Sequence, residues 1–187
     1  MASQRGRMLE GMAEAVAEKG YLATTVADVI ARAGVSRKTF YEQFSDKEDC
    51  FLAAYDTGVE LLLAALREAG SGEQDLLERA RTRTRAYLET LAGEPAFART
   101  FLIEVVAAGP AAQARRDAVH ERFAALLREQ VEAAGLPEQP DDVYLAAVGA
   151  TDLLVSRLVA RGRTAELPQL EEVVMQVQLS LLAGIRP

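Results

Sequence analysis

Glycine and proline cut this chain into pieces of helix length, and that punctuation constrains the fold more than any single motif. The breaks fall near Gly20, Gly34, Ser45, Gly70 to Gly72, Gly93 to Pro95, Gly109 to Pro110, Gly135 to Pro140 and Gly162 to Pro168. Gly favours the left-handed conformation just past a helix end, and Pro favours the first turn of the next helix. About nine helices follow. Composition points the same way: half of the residues are hydrophobic but only 6% are aromatic, with no Trp. That is the mix of packed amphipathic helices, not of sheets or of a disordered chain. The expected fold is all-α. No proline precedes Pro95 and the first three pieces are short, so the sequence predicts a small N-terminal domain over residues 1–45. A larger C-terminal domain takes residues 46–187, with 46–69 as a connecting helix.

Within the small domain, apolar residues Met8, Leu9, Met12, Val16 and Ala17 paint one face of a first helix over Gln4 to Lys19. Thr25, with Asp28 three residues on, forms a capping box that opens a second helix of about two turns, with Val26, Val29, Ile30 and Ala33 as its stripe. Gly34 ends it and Val35 returns toward the core. Ser36 caps a third short helix in which Phe40 and Phe44, four apart, point inward. Ser45 with Glu48 reads as a further capping box for the long fourth helix.

Two short helices across a tight Gly-containing turn, sharing a core with a preceding helix, make a helix-turn-helix. With Phe40 and Phe44 filling the inner face, Arg37, Lys38, Thr39, Tyr41 and Gln43 are offered outward. These are donors suited to phosphate oxygens and to major-groove base edges. Lys47, in the first turn of the next helix, adds an ammonium to a set of free amides and so makes an anion site. The same spacing also fits a three-helix cap with a solvated polar face.

The run from Gly20 to Phe51, GYLATTVADVIARAGVSRKTFYEQFSDKEDCF, resembles the N-terminal signature of the TetR family of bacterial transcriptional regulators. The resemblance rests on Thr25 with Ile30 and Ala31 in the second helix, Ala-Gly-Val-Ser at the turn, Thr-Phe-Tyr-x-x-Phe in the third helix, and Lys-Glu in the fourth. It covers about the first 55 residues without a gap; beyond them length, helix count and the Ala-Ala-Gly-Pro step at Ala107 to Pro110 are similar. It implies that Thr25, Ser36, Thr39, Tyr41 and Lys47 hold phosphates, while Arg37, Lys38 and Gln43 face bases. The chain has Lys38 where many relatives have Gly, and Gln43 where many have His; both differences bear on the operator sequence.

Charge qualifies this picture. The net charge of −7 excludes a protein that wraps nucleic acid through bulk neutralisation, and residues 1–50 are themselves at −1, so any DNA-binding face arises from the placement of a few cations. All three lysines, Lys19, Lys38 and Lys47, lie in that segment. A single cysteine, Cys50, and an N-terminal stretch without a leader pattern point to a reducing cytoplasm. The longest apolar runs, Leu61 to Leu66 and Leu102 to Ala108, are too short to span a bilayer.

From Gln74 onward the helices carry an excess of small residues, which leaves room for a ligand or a partner. The helix near Pro140 is expected to bury Ala146, Ala147, Gly149, Ala150, Leu153 and Leu154, and the last helix Leu170, Val173, Val174, Val177 and Leu181. These stripes serve either an internal core or a four-helix interface between two chains; the family resemblance implies a homodimer through the last two helices, and hence a pseudopalindromic operator. Tyr87, Leu91, Phe97, Phe101, Phe123, Tyr144 and Met175 are the candidates to line a pocket for an effector, or else core. Glu104 interrupts an apolar run and needs a partner if buried. Arg79, Arg81, Arg83 and Arg85 have period two, so a helix spreads them over several faces, with Glu78 and Glu89 as expected mates and one or two turned inward, toward an anionic effector in one reading.

One histidine, His120, and one thiol allow no zinc cluster and no Cys-His or Ser-His-Asp constellation, and Gly70-Ser71-Gly72 is a connector, not a phosphate loop. His120 is expected on the surface. No enzyme activity, cofactor or metal is expected. The sequence therefore points to a ligand-responsive regulator, a repressor whose partners are double-stranded operator DNA, a second copy of the chain and a small-molecule effector. A helical small-molecule carrier or enzyme that kept the fold without specific DNA binding, and an activator or nucleoid-type binder, are the competing readings.

Overall fold

A computed structural model of the chain describes residues 3–69, 71 and 75–182. All regular structure among them is helical: α1 (Gln4–Lys19), α2 (Val26–Ala33), α3 (Arg37–Gln43), α4 (Lys47–Ala69), α5 (Leu76–Gly93), α6 (Pro95–Arg99), α7 (Val105–Ala107), α8 (Pro110–Ala133), α9 (Asp141–Ala160) and α10 (Glu171–Leu182). A π-helical turn, Thr100–Glu104, carries α6 into α7, and a 3₁₀ segment, Thr164–Leu170, leads into α10. With α6 to α7 taken as one helix, the expected nine are present among the described residues. The break expected at Gly70 and Gly72 lies outside them.

The chain forms two compact units. The first joins α1 to α3 and the part of α4 up to Leu61 with Glu94–Arg115; the second joins Leu62–Gly93 with the chain from Arg116 onward. No linear cut expresses this grouping, because the π-turn segment packs with the N-terminal helices.

In the first unit, α1 buries Met8, Gly11, Met12, Ala15 and Val16. Leu9 and Ala17, expected on that face, are half-buried at its margins. Gly11 lets α2 come close: a Cβ there would lie 3.2 Å from the Val29 carbonyl oxygen and from Arg32 Cβ. Gly34, left-handed at φ 61°, ends α2 and permits the tight turn to α3. Farther along α4, the ring of Phe97 lies where a side chain at position 58 would be. Phe97 stacks on Phe101 with centroids 5.3 Å apart, and Phe101 stacks on Tyr55 at 5.6 Å.

The start of α4 departs from the expected Ser45–Glu48 box. Asp46 Oδ1 accepts the Asp49 amide at 2.9 Å, and the Asp49 carboxylate accepts the Ser45 amide at 2.9 Å. The cap is thus one residue later, because a carboxylate at position 46 competes better than the Ser45 hydroxyl for the free amides.

In the second unit, Ala124, Leu127 and Val131 of α8 pack with Tyr144, Ala147 and Val148 of α9 and Leu182 of α10. The expected stripes on α9 and α10 divide. Ala147 and Val174 are buried, and Ala150, Leu154, Leu170 and Val177 are half-buried, but Ala146, Gly149, Leu153, Val173 and Leu181 are exposed. The inner face of α9 is instead Tyr144, Ala147, Val148, Val155 and Val159; positions 146, 149 and 153 share the opposite stripe of the helix. By length and composition α9 is also apolar enough to cross a membrane. Its middle, however, carries Asp152, paired with Arg116 at 2.6 Å, and its first turn carries Asp141 and Asp142.

Candidate nucleic-acid interface

The recognition face is built by local caps. At α2, the Thr25 hydroxyl accepts the Asp28 amide and the Asp28 carboxylate accepts the Thr25 amide at 2.8 Å, the expected capping box. Lys19 Nζ also reaches Asp28 at 2.7 Å, and this bond above all, with those from Thr25, holds the carboxyl far below the usual carboxylate range. At α3, Ser36 Oγ accepts the Thr39 amide at 3.0 Å and lies 2.9 Å from the Thr39 hydroxyl. The hydroxyls of Thr25, Ser36 and Thr39 therefore shape the backbone at the two helix starts, the same places where amides face outward.

Phe40 and Phe44 are buried, as their spacing requires. Arg37, Lys38, Tyr41 and Gln43 are exposed and Thr39 half-exposed. Tyr41 stands edge-on to Phe40 at 5.4 Å, with the Arg37 guanidinium 5.8 Å from its ring, so the core itself steadies this outward pair. Lys38, its side chain 88% exposed, is only loosely paired with Glu42 at 3.9 Å.

Lys47 is held more firmly than the sequence indicated. Its ammonium donates to the Tyr21 carbonyl at 2.9 Å and lies 4.2 Å from the centre of the Tyr21 ring, which packs edge-on against Phe51. An ammonium has three donors, so this anchoring leaves two for an anion. Tyr21 is the residue of this face that sequence reasoning missed; an aromatic directly after the helix-ending Gly20 was the available signal. Arg5, over the Phe44 ring at 4.5 Å, is a second cation at the border of the same domain.

The expected effector residues fall in both units. In the first, Phe97 and Phe101 belong to the ring stack on Tyr55, and Glu104 is buried with its carboxylate on the Tyr21 amide at 2.9 Å and on Arg99 at 3.1 Å. In the second, Tyr87 and Phe123 meet edge-on at 5.8 Å, and Leu91, Tyr144 and Met175 are buried. Met175 alone of the eight lines the two clefts described, which open between α5 and α10 (with Leu77, Arg81 and Leu179) and among α5, α8 and α10 (with Ala80, Val131 and Leu136).

Two arginines of α5 find their main partners outside it. Arg81 and Arg85 bind Glu171, and Arg81 also Glu172, on α10, while the expected Glu89 acts on Arg85 through its charge. Glu78 instead sits over the Asp75 cap, its amide bonded to that carboxylate at 3.0 Å. Arg83 is turned inward, and burial together with the neighbouring Arg79 charge lowers its pKa. His120 is half-buried 3.8 Å from Asp152, not on the surface: the Arg116–Asp152 pair draws α8 and α9 together around it. Burial pushes the Cys50 thiol up to about 12, so it is an unreactive core residue.

A three-helix domain that presents an arginine, a lysine, a tyrosine and a glutamine from the capped second helix of a helix-turn-helix has the arrangement of side chains that suits a DNA groove. Residues 9–54 match the model of the bacterial regulatory proteins, tetR family. That match takes in the helix-turn-helix and the first part of α4. Over 86 residues it is 30% identical to the HTH-type transcriptional activator FasR of Mycolicibacterium smegmatis, an alignment that takes in 46% of this chain and 39% of that protein. The match thus spans about two-fifths of that relative's length. Among solved structures, the fold is similar to the fatty acid degradation regulator FadR of Bacillus halodurans, with a TM-score of 0.85 at 20% identity, covering 100% of this chain and 98% of that one. It is also similar to FadR of Bacillus subtilis in complex with stearoyl-CoA, with a TM-score of 0.80 at 19% identity, covering 96% and 98%.

Proposed function

We propose that the chain is a ligand-responsive transcriptional regulator that binds a pseudopalindromic operator as a homodimer and acts as a repressor released by a small-molecule effector. The observation that carries this reading is the exposed row Arg37, Lys38, Tyr41 and Gln43 on α3, backed by the buried Phe40 and Phe44, within the stretch that matches the tetR family model. In this reading residues 1–45 bind DNA, 46–69 connect, and the remainder binds effector and partner. Arg37, Lys38 and Gln43 face bases; Thr25, Ser36, Thr39, Tyr41 and Lys47 lie along phosphates.

The dimer uses α9 and α10, whose exposed residues Ala146, Gly149, Leu153, Val173 and Leu181 give each copy a self-complementary apolar face. Two-fold symmetry then places the two copies of α3 about one DNA turn apart, ~34 Å, and an effector that changes this spacing costs one half-site. The effector is an apolar acyl compound of the kind bound by the Bacillus subtilis relative, and Tyr87, Leu91, Phe97, Phe101, Glu104, Phe123, Tyr144 and Met175 are the candidate residues for it. Protein and operator meet in the cytoplasm, and no reaction is assigned to the chain.

The Mycolicibacterium relative is named an activator, which favours a second reading of opposite sign on the same operator. Retention of genomic fragments on the purified protein, followed by a reporter assay on the retained sites, tests all of this. A few enriched palindromes with raised expression on deletion of the protein support repression, and lowered expression supports activation. Uniform retention or none overturns specific DNA binding.

A further inference from the structure

Glu104 is the buried carboxylate that the DNA-binding surface does not itself explain. It sits in the π-helical turn Thr100–Glu104, between buried Leu102 and Val105, and is only 8% exposed. A carboxylate so placed is costly unless its lone pairs are filled. One oxygen accepts the Tyr21 amide at 2.9 Å, 83 residues away in sequence, and the other pairs with Arg99 at 3.1 Å. Gly20 makes the approach possible: its φ of 80° is a conformation side chains rarely adopt, and a Cβ there would stand 3.3 Å from the Glu104 oxygen.

Tyr21 is held from both sides of its backbone. Its amide is fixed by Glu104, its carbonyl accepts from the Lys47 ammonium at 2.9 Å, and its ring lies under that ammonium while packing on Phe51 at 4.8 Å. The π turn is what aims Glu104 here, since one extra residue in the turn rotates the following side chains relative to an α-helix, and such turns recur at functional positions. Thr100, at the start of the same turn, reaches the Ala13 carbonyl of α1 at 3.5 Å, so the segment is tied to α1 at a second point.

We infer that Glu104 is a positioning residue for DNA binding, which fixes the Tyr21 backbone and through it sets the Lys47 ammonium for an operator phosphate. This rests on the proposed phosphate contact of Lys47. With the acceptor gone, the Tyr21 segment no longer presents its carbonyl at one place, and the Lys47 ammonium loses its fixed position.

Operator affinity is measured against salt for the full-length wild type, Lys47→Ala, Glu104→Met, Glu104→Gln and the double variant Lys47→Ala/Glu104→Met. Lys47→Ala is expected to weaken binding about tenfold and to lower the salt slope by about one per protomer. Glu104→Met, which fills the space but removes the acceptor, is expected to do the same, and the double variant to be no weaker than Lys47→Ala. Glu104→Gln keeps a carbonyl for the Tyr21 amide and is expected to restore most of the affinity and slope. Equal further loss from Glu104→Met in both backgrounds, or no loss in the wild-type background, overturns the positioning role while leaving the Lys47 contact intact. If Lys47→Ala alone changes nothing, the phosphate contact fails, and the inference with it.

If Glu104→Met does not fold, hydrogen exchange of the Tyr21 amide in the intact protein reads the same linkage. Operator binding is expected to slow that exchange severalfold in the wild type and not in Lys47→Ala. Equal slowing in both overturns the inference.

Discussion

The recognition helix of the first unit and the helices of the second spend their cations in opposite ways. On α3 of the first, Lys38 meets only Glu42 at 3.9 Å, and the Arg37 guanidinium lies over a tyrosine ring, so neither is closed off by a carboxylate of its own chain. In the second, Arg81 and Arg85 are bound by Glu171, Arg116 by Asp152 at 2.6 Å, Arg128 by Asp141 and Arg163 by Glu166 at 2.5 Å. A surface that leaves its cations open is built for an external anion, and one that closes them is built for itself. The net charge of −7 hides this, because position decides what a cation can reach. Arg83 in the second unit follows a different course: it is turned inward near a second arginine, with burial lowering its pKa.

The largest effect is expected at the apolar outer face of α9. Leu153 is 61% exposed on a stripe with Ala146 and Gly149, and in the proposed dimer it is covered by a second copy. Leu153→Asp is expected to leave a monomer in sedimentation and to cost about 10²-fold or more in operator affinity, since each half-site then binds without the other. A dimer that survives this change would place the interface elsewhere. The second unit would then have no demonstrated role in DNA binding.

Next in size is the open cation itself. Arg37→Ala is expected to lose about 1–3 kcal/mol of operator affinity and to relax the preference at one base position, read by titration on operators altered one base pair at a time. Tyr41→Ala is expected to weaken all sequences alike. The sharpening control is Arg85→Ala, whose guanidinium is already bound to Glu171 at 2.9 Å. It should leave DNA binding unchanged, and a loss equal to that of Arg37→Ala would erase the distinction between the units.

A third effect tests packing inside the first unit. Gly58 lies under the Phe97 ring, and a methyl group there would overlap it. Phe97 stacks on Phe101 and Phe101 on Tyr55, so the ring has little room to yield. Gly58→Ala gains helix propensity but forces that stack apart, and the net expectation is a loss of about 1–3 kcal/mol, seen as a Tm several degrees lower. An unchanged or raised Tm would show that Phe97 turns away freely.

What could be read in advance divides along the same line as the charges. The Thr25–Asp28 box, the Ser36 cap, the Gly34 turn and the inward Phe40 and Phe44 are set by residues within a few positions of one another, and all appear as expected. Glu171, which binds Arg81, is 90 residues from it, and Tyr21, whose amide Glu104 accepts, is 83 residues from that carboxylate, and spacing along one helix carries no information about either. Glu104 was recognisable as needing a partner if buried, because it breaks an apolar run, but nothing near it in sequence pointed to Tyr21. Even a local reading failed where two acids competed: Asp46 and Asp49 took the start of α4 from Ser45 and Glu48. On α9 the apolar residues are spread around the helix, so their presence could not tell the core face from the outer one.

The smallest effect is the acid response of the α2 cap, where the first unit closes a cation, Lys19, beside its helix-turn-helix. Lys19 and Thr25 hold the Asp28 carboxyl below its ordinary range, Lys19 contributing most. A folded-state pKa below the unfolded one means that the stabilisation is present above about pH 4, the ordinary aspartate range, and is lost as the pH falls through the folded value. The site is exposed, so solvent screening keeps the contribution small. Asp28→Asn keeps an acceptor for the Thr25 amide but removes the charge that Lys19 binds. At neutral pH the Asn variant is expected to be slightly less stable than the wild type in urea, and the gap to close as the pH drops below about 4, because the wild type alone must then take up a proton. A gap that stays constant down to pH 2 would mean that the cap works through hydrogen bonding alone, and that Lys19 is as open to an external anion as Lys38.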